Sequence, residues 1–360
     1  MNQVRKKILH LYTVKLMKKN KIALIFVIVL GALSFWFISN NHNGTIKETL
    51  RDFAVADTAS INKIFLADKK DNTILLERSP TGHWTVNGKY DARIDVVQTL
   101  LLTINKIDIK EPIGKNAISN VVKRLASKAI KCEIYQNNKL TKAYYVGTET
   151  QDATGTYMIL IDPETMQTSA KPFITYIPGF EGYLTSRYFT EEAGWRDRTI
   201  YHFNPNEIKS IKLELMNNPE KGFELIVKGN NNYEVHSLTS SQPISNLEAM
   251  SVKQYLSYFQ QVNFESFEVS ITRKQIDSTL ETTPIKILTI KDSKGNTNKT
   301  TFFNRWPRRH GLFGTDGKEI IYDTDRLDAL MSNGKDFVMC QYYVFGKLFP
   351  EIGYFQKKHD

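Results

Sequence analysis

The chain has 360 residues, 48 Lys and Arg against 38 Asp and Glu, a formal net charge of +10, 41% hydrophobic residues and two cysteines. At roughly 100–200 residues per domain, such a length suggests two domains or one domain with a large extension, and ordinary Gly and Pro with scarce Cys exclude collagen-like, low-complexity and disulfide-scaffold classes. A surplus of +10 argues for nucleic acid only if it sits on a folded surface, so its place along the chain decides.

Seven cations, Arg5, Lys6, Lys7, Lys15, Lys18, Lys19 and Lys21, with no acidic residue among them, stand ahead of residue 22 and account for all but +3 of the +10. Behind them, Ile22 to Ser39 carry no charge. That run is about the minimum that crosses a hydrocarbon core of ~30 Å at ~1.5 Å per residue. The positive-inside rule puts residues 1–21 in the cytoplasm and the bulk of the chain outside, as a single-pass protein of the cytoplasmic membrane with a periplasmic domain. A cleaved signal peptide is the rival reading. The run closes on Phe35, Trp36, Phe37 and Ile38 with no small-residue cleavage pattern, which favours an uncleaved anchor. Met17 is an alternative start.

Residues 40–60 read as a polar tether. Beyond them the chain is self-similar, the first thing to look for before assigning a fold. Ile61, Ile64 and Leu66 have the same spacing as Ile208, Ile211 and Leu213. Each trio leads into alternating segments, Thr73–Leu76 with Trp84 and Val86 in one case, Phe223–Val227 with Tyr233 and Val235 in the other. These predict short amphipathic strands. An amphipathic helix follows in each half, with apolar residues at Val97, Leu100, Leu101, Ile104 and Ile107, and at Val252, Tyr255, Leu256, Phe259 and Val262. Both stripes suit a helix covering a sheet face.

The correspondence continues: Val121 and Leu125 precede Ile130 as Ile276 and Leu280 precede Ile285, and Tyr183, Tyr188 and Phe189 match Phe337, Tyr342 and Tyr343. The predicted fold is α+β: an N-terminal transmembrane helix (22–39), then two tandem copies of an antiparallel-sheet-plus-helix unit at 61–190 and 208–348, a connector at 191–207 and a tail at 349–360. In this alignment Cys132 stands where the second copy has Ile287 and Cys340 where the first has Ser186, which favours two separately buried thiols over a disulfide.

The connector holds Gly194, Trp195, Arg196, Asp197, Arg198 and Thr199, then Phe203, Asn204, Pro205 and Asn206 before the second strand trio. This stretch resembles the bacterial family catalogued as domain of unknown function 4340, in particular its membrane-anchored Bacteroidetes-type members. Phe53, Ala54, Val55, Asp57 and Ile61 are similar too, as are Trp84, Val86, Asn87 and Gly88, and Gly334 to Phe337 with Tyr342 and Tyr343. The resemblance implies an exported, membrane-tethered protein whose relatives are often encoded near envelope transport machines, including auxiliary proteins like those of gliding-type systems. It implies no activity.

The seven histidines are dispersed, and no P-loop, dinucleotide fingerprint, nucleophile elbow or Cys pair of metal spacing is present, so no cofactor or catalytic residue is assigned. The segment with Arg305, Trp306, Arg308, Arg309 and His310 is the candidate anion or partner surface, through bidentate guanidinium contacts. Its bland reading is a solvated cationic loop. Trp195, Arg196, Asp197 and Arg198 form a candidate structural cluster at the junction of the copies, with Asp197 expected to pair with an arginine or cap a turn and Trp195 to pack. The functional expectation is a non-enzymatic accessory subunit of an envelope transport, secretion or gliding-type assembly, with envelope proteins rather than nucleic acid as partners. The alternative is an exported hydrolase or carbohydrate-active enzyme with a site between the copies, its carboxylates assembled only in the fold.

Overall fold

The computed structural model describes residues 29–32, 52–229, 231–307, 311, 313–314 and 317–357. Val29 to Ala32 are helical, and the rest of the expected anchor at 22–39 and its basic arm lie outside the described residues. Among the described residues no helix is long and apolar enough to cross a membrane.

The chain forms a mixed α/β structure with antiparallel sheets. The first sheet is built from β1 (Ile61–Ala67), β2 (Thr73–Arg78), β3 (Trp84–Val86), β4 (Tyr90–Asp91), β5 (Asp108–Pro112), β6 (Ile130–Gln136), β7 (Lys139–Glu149), β8 (Thr156–Ile161) and β9 (Phe173–Tyr176). Helix α1 (Ile94–Lys106) lies between β4 and β5 in sequence, and α2 (Lys115–Lys128) between β5 and β6. The strand order is β4-β3-β2-β1-β6-β7-β8-β9-β5.

The short α3 (Glu192–Trp195) leads to β10 (Thr199–Tyr201), which pairs with β14 (Val262–Asn263). The second large sheet contains β11 (Ile208–Leu215), β12 (Phe223–Gly229), β13 (Asn232–Ser237), β15 (Ser266–Phe267), β16 (Lys286–Asp292), β17 (Thr297–Asn304), β18 (Arg326–Leu330) and β19 (Phe337–Gln341). Helices α4 (Ala249–Ser257) and α5 (Arg273–Leu280) precede β14 and β16, and α6 (Tyr342–Phe345) follows β19. The order β13-β12-β11-β16-β17-β18-β19-β15 is, strand for strand, that of the first sheet without β4.

The chain packs as two compact units. One takes the residues up to Leu75 together with Gln98–Thr190; the other takes Leu76–Val97 together with the chain from Glu191 onward. In the first unit, the residues that read as the end of a tether are packed: Phe53 and Val55 are buried, and the Val55 amide donates to the Ile104 carbonyl at 3.0 Å. Phe53 also meets the Tyr144 and Phe173 rings at 5.9 and 6.2 Å.

The apolar stripe of α1 is buried at Val97, Leu100 and Ile104, and α2 buries Val121 and Leu125 against β7 and β8. Gly147 permits that approach. A Cβ there would stand 2.7 Å from Leu125 Cδ2 and 2.7 Å from the Tyr157 carbonyl.

In the second unit the core gathers Ile211, Leu213, Phe223, Tyr255, Phe302 and their neighbours. Phe355, in the segment read as a C-terminal tail, is fully buried in it and touches the Phe223 ring at 4.8 Å. Cys132 and Cys340 are free and buried, Cys340 in this core. Helix α5 departs from the expected burial, since none of its residues is buried and Ile276 and Leu280 are only half-covered. The cause lies in the sheet beneath. Leu66 faces Cys132 as Leu213 faces Leu288, and these face Tyr144 and Thr300 in turn, so the register position of Gly147 is held in the second sheet by Phe303. A side chain now stands where a glycine lets Leu125 settle.

Candidate functional site

The loosely seated α5 and the end of β17 leave a cavity of about 280 Å³ in the second unit. Ile271, Gln275, Ser278 and Thr279 form one wall, and Arg305, Trp306 and Asp328 the other. Position 305 opens the connection between β17 and β18, residues 305–325. The matching connection between β7 and β8 spans only residues 150–155. Long connections on a rigid sheet commonly carry function.

Asp328 is placed by β18, where it faces Phe303 on one side and Met339 on the other. Burial pushes its carboxyl up to about 6, against the opposing pull of the Arg305 guanidinium. Arg305 donates through Nη1 to Asp328 Oδ1 and through Nη2 to Glu268 Oε2, the latter at 3.0 Å. Its main chain is pinned as well, the Arg305 carbonyl accepting from the Asp323 amide at 2.8 Å. Arg305 Nε is buried with no partner among the described residues. Next to it Trp306 is 59% exposed and lies 5.5 Å from the Tyr322 ring.

Gln275 belongs to a capping box at the start of α5. Its amide donates to Thr272 Oγ1 at 3.3 Å, and its Oε1 accepts from the Thr272 amide at 2.8 Å, which leaves its side-chain NH2 as donor. Thr279 Oγ1 donates back to the Gln275 carbonyl at 3.0 Å.

Of the segment singled out in the sequence, Arg305 and Trp306 line the cavity, and the arginine differs from expectation. Arg305 is no solvated cation: its guanidinium is buried and engaged by two carboxylates, which leaves no unneutralised positive charge there for an anion. Trp306 is exposed, as a partner surface requires. Arg308, Arg309 and His310 lie outside the described residues. Sequence reasoning missed Glu268, Asp328 and the α5 residues, all remote from position 305 along the chain; the lone signal was the length of the β17–β18 connection.

The second candidate cluster is structural in geometry. Trp195 is fully buried, and its carbonyl accepts from the Arg93 amide at 2.7 Å. The Arg196 guanidinium lies 3.7 Å from the Tyr90 ring centroid and 3.9 Å from that of Phe267, and forms an ion pair with Asp336 at 2.8 Å. Arg198 donates to the Glu265 carbonyl at 2.6 Å. Asp197 has neither arginine as its partner and instead accepts from Thr199 Oγ1 at 3.2 Å, a local turn contact. Among the described residues no cluster of His, Cys, Asp and Glu is arranged to hold a metal ion.

The protein is a mixed α/β protein with two large antiparallel sheets. The family is known: the chain belongs to the family described as Domain of unknown function (DUF4340), whose model matches residues 84–282, more than half of the 360. No curated protein and no solved structure matches the chain.

Proposed function

We propose that this protein is a membrane-anchored, extracytoplasmic accessory subunit of an envelope transport, secretion or gliding-type assembly, and that it binds its ligand or partner through the second unit. The observation that carries the binding role is the exposed Trp306, paired with Tyr322 on the 305–325 connection beside the cavity. Exposed aromatics on a rigid support are the residues that anchor recognition. The anchor rests on the seven cations followed by the uncharged run 22–39. Shared strand order and helix placement support reading the sheets as copies of one unit, the second having acquired the longer connection.

Tagged full-length protein, crosslinked in cells and purified in mild detergent, is expected to bring down an envelope transport or secretion component, and Trp306→Ala to lose it. Recovery of no such component overturns the assembly role. A reporter active only outside the cytoplasm, fused after Asp360, tests the orientation: silence there, with a working cytoplasmic reporter, reverses it.

A further inference from the structure

The cavity walls narrow the chemistry of what fits. Arg305 and Asp328 face it together. An anion drawn to the guanidinium meets the Asp328 carboxylate, and a cation drawn to the carboxylate meets the guanidinium. An apolar ligand covers the Gln275 and Ser278 donors without replacing their hydrogen bonds to water, which is costly. A neutral ligand with donors and acceptors interspersed suits both.

Three further features agree. Gln275 offers its side-chain NH2, and the Ser278 hydroxyl has no hydrogen bond among the described residues. Trp306 presents an exposed ring at the cavity edge, and the electron-rich face of an aromatic attracts the weakly positive C–H edges of a saturated ring. The volume of about 280 Å³ sits at the lower bound of ordinary ligand pockets. It corresponds to on the order of nine waters at ~30 Å³ each, room for one ring and not for a chain.

We propose that this cavity is a saccharide-binding site that takes a single neutral sugar ring, with Trp306 as stacking face and Asp328, Arg305, Gln275 and Ser278 as hydrogen-bonding groups. The inference rests on the binding role given above and names the ligand class. The ring is either a free monosaccharide or the terminal unit of a glycan; the same chemistry recognises both.

The test uses the full-length chain in a polyoxyethylene detergent, which carries no sugar, and ligand-observed NMR with glucose, galactose and N-acetylglucosamine. Inorganic phosphate and methylammonium serve as the charged competitors. At least one sugar is expected to bind saturably, and Trp306→Ala to weaken it by about tenfold or more, as loss of a recognition anchor does. Ser278→Val is expected to weaken it as well, with the circular dichroism of both variants unchanged.

Tighter binding of an N-acetylglucosamine oligomer than of the monomer identifies a glycan end, and the reverse a free sugar. Binding of phosphate or methylammonium alone overturns the proposal, as does sugar binding that neither variant changes, or no binding at all. If sugars bind while no envelope component co-purifies, the assembly role fails and the saccharide site stands; the opposite pair of results removes the saccharide site alone.

Discussion

Arg305 joins Asp328 through its Nη1 donor at the base of the cavity, and the same guanidinium holds Glu268 with Nη2 at 3.0 Å. One cation thus keeps two poorly solvated carboxylates together on the second sheet. Removing one partner of such a group exposes the others' desolvation, so Arg305→Leu is expected to destabilise the second unit by about 3–5 kcal/mol. Urea denaturation at pH 7 measures it, and Arg305→Lys is expected to recover only part, because an ammonium cannot reproduce the planar fork.

The carboxyl of Asp328 predicts a pH dependence. Its folded value of about 6 lies above that of an unfolded aspartate, ~3.9. Over that interval the native state holds a proton that the unfolded state has released. This group's contribution to stability is therefore complete below pH ~4 and is lost as the pH rises through about 6. The difference is on the order of 2–3 kcal/mol. Subtracting the stability of Asp328→Asn from that of the wild type at each pH isolates the effect. A flat difference from pH 4 to 7 refutes it.

Arg196 lies between the rings of Tyr90 and Phe267 and is paired with Asp336. Arg196→Lys keeps the charge and loses the two-sided stacking. A loss of about 1–2 kcal/mol is expected in chemical denaturation. Asp336→Asn is expected to lose less, since the two ring contacts remain.

Gly147 has no room for a side chain, with Leu125 Cδ2 and the Tyr157 carbonyl each 2.7 Å from where a Cβ would stand. Gly147→Ala is expected to lower stability by about 1–3 kcal/mol through overpacking, and to lower the thermal midpoint.

Burial raises the thiols of Cys132 and Cys340 well above the usual range. A thiol reagent at pH 8 is expected to label neither cysteine in the native protein and both after denaturation, because the thiolate is the reactive form. Labelling of native protein at either site would show that its core opens readily.

How much of this was legible in the sequence differs from element to element. The α1 stripe at Val97, Leu100 and Ile104 is buried as its spacing required, because helical periodicity is a local property. The similar stripe of α5 is not, because its burial depends on a residue in another strand, Phe303, that pattern alone cannot place beneath it. Arg305 failed as a surface cation for a related reason. Its acids, Glu268 and Asp328, are brought to it by β18 and by the turn after β15, and nothing within a few residues of position 305 announces them. Phe53 looked like part of a polar tether because a single aromatic in such a stretch carries no periodicity, and only packing reveals its role.

The unburied α5 also has a kinetic meaning. A helix held by a capping box and a few half-covered side chains opens at a small fraction of the energy needed to unfold the sheet beneath it, and its amide hydrogens exchange on that lower scale. Arg273–Leu280 should therefore take up deuterium well before Lys115–Lys128, which is fastened by Val121 and Leu125. One wall of the cavity is then a compliant surface beside a stiff one, able to close over an occupant without disturbing the strands that hold Asp328.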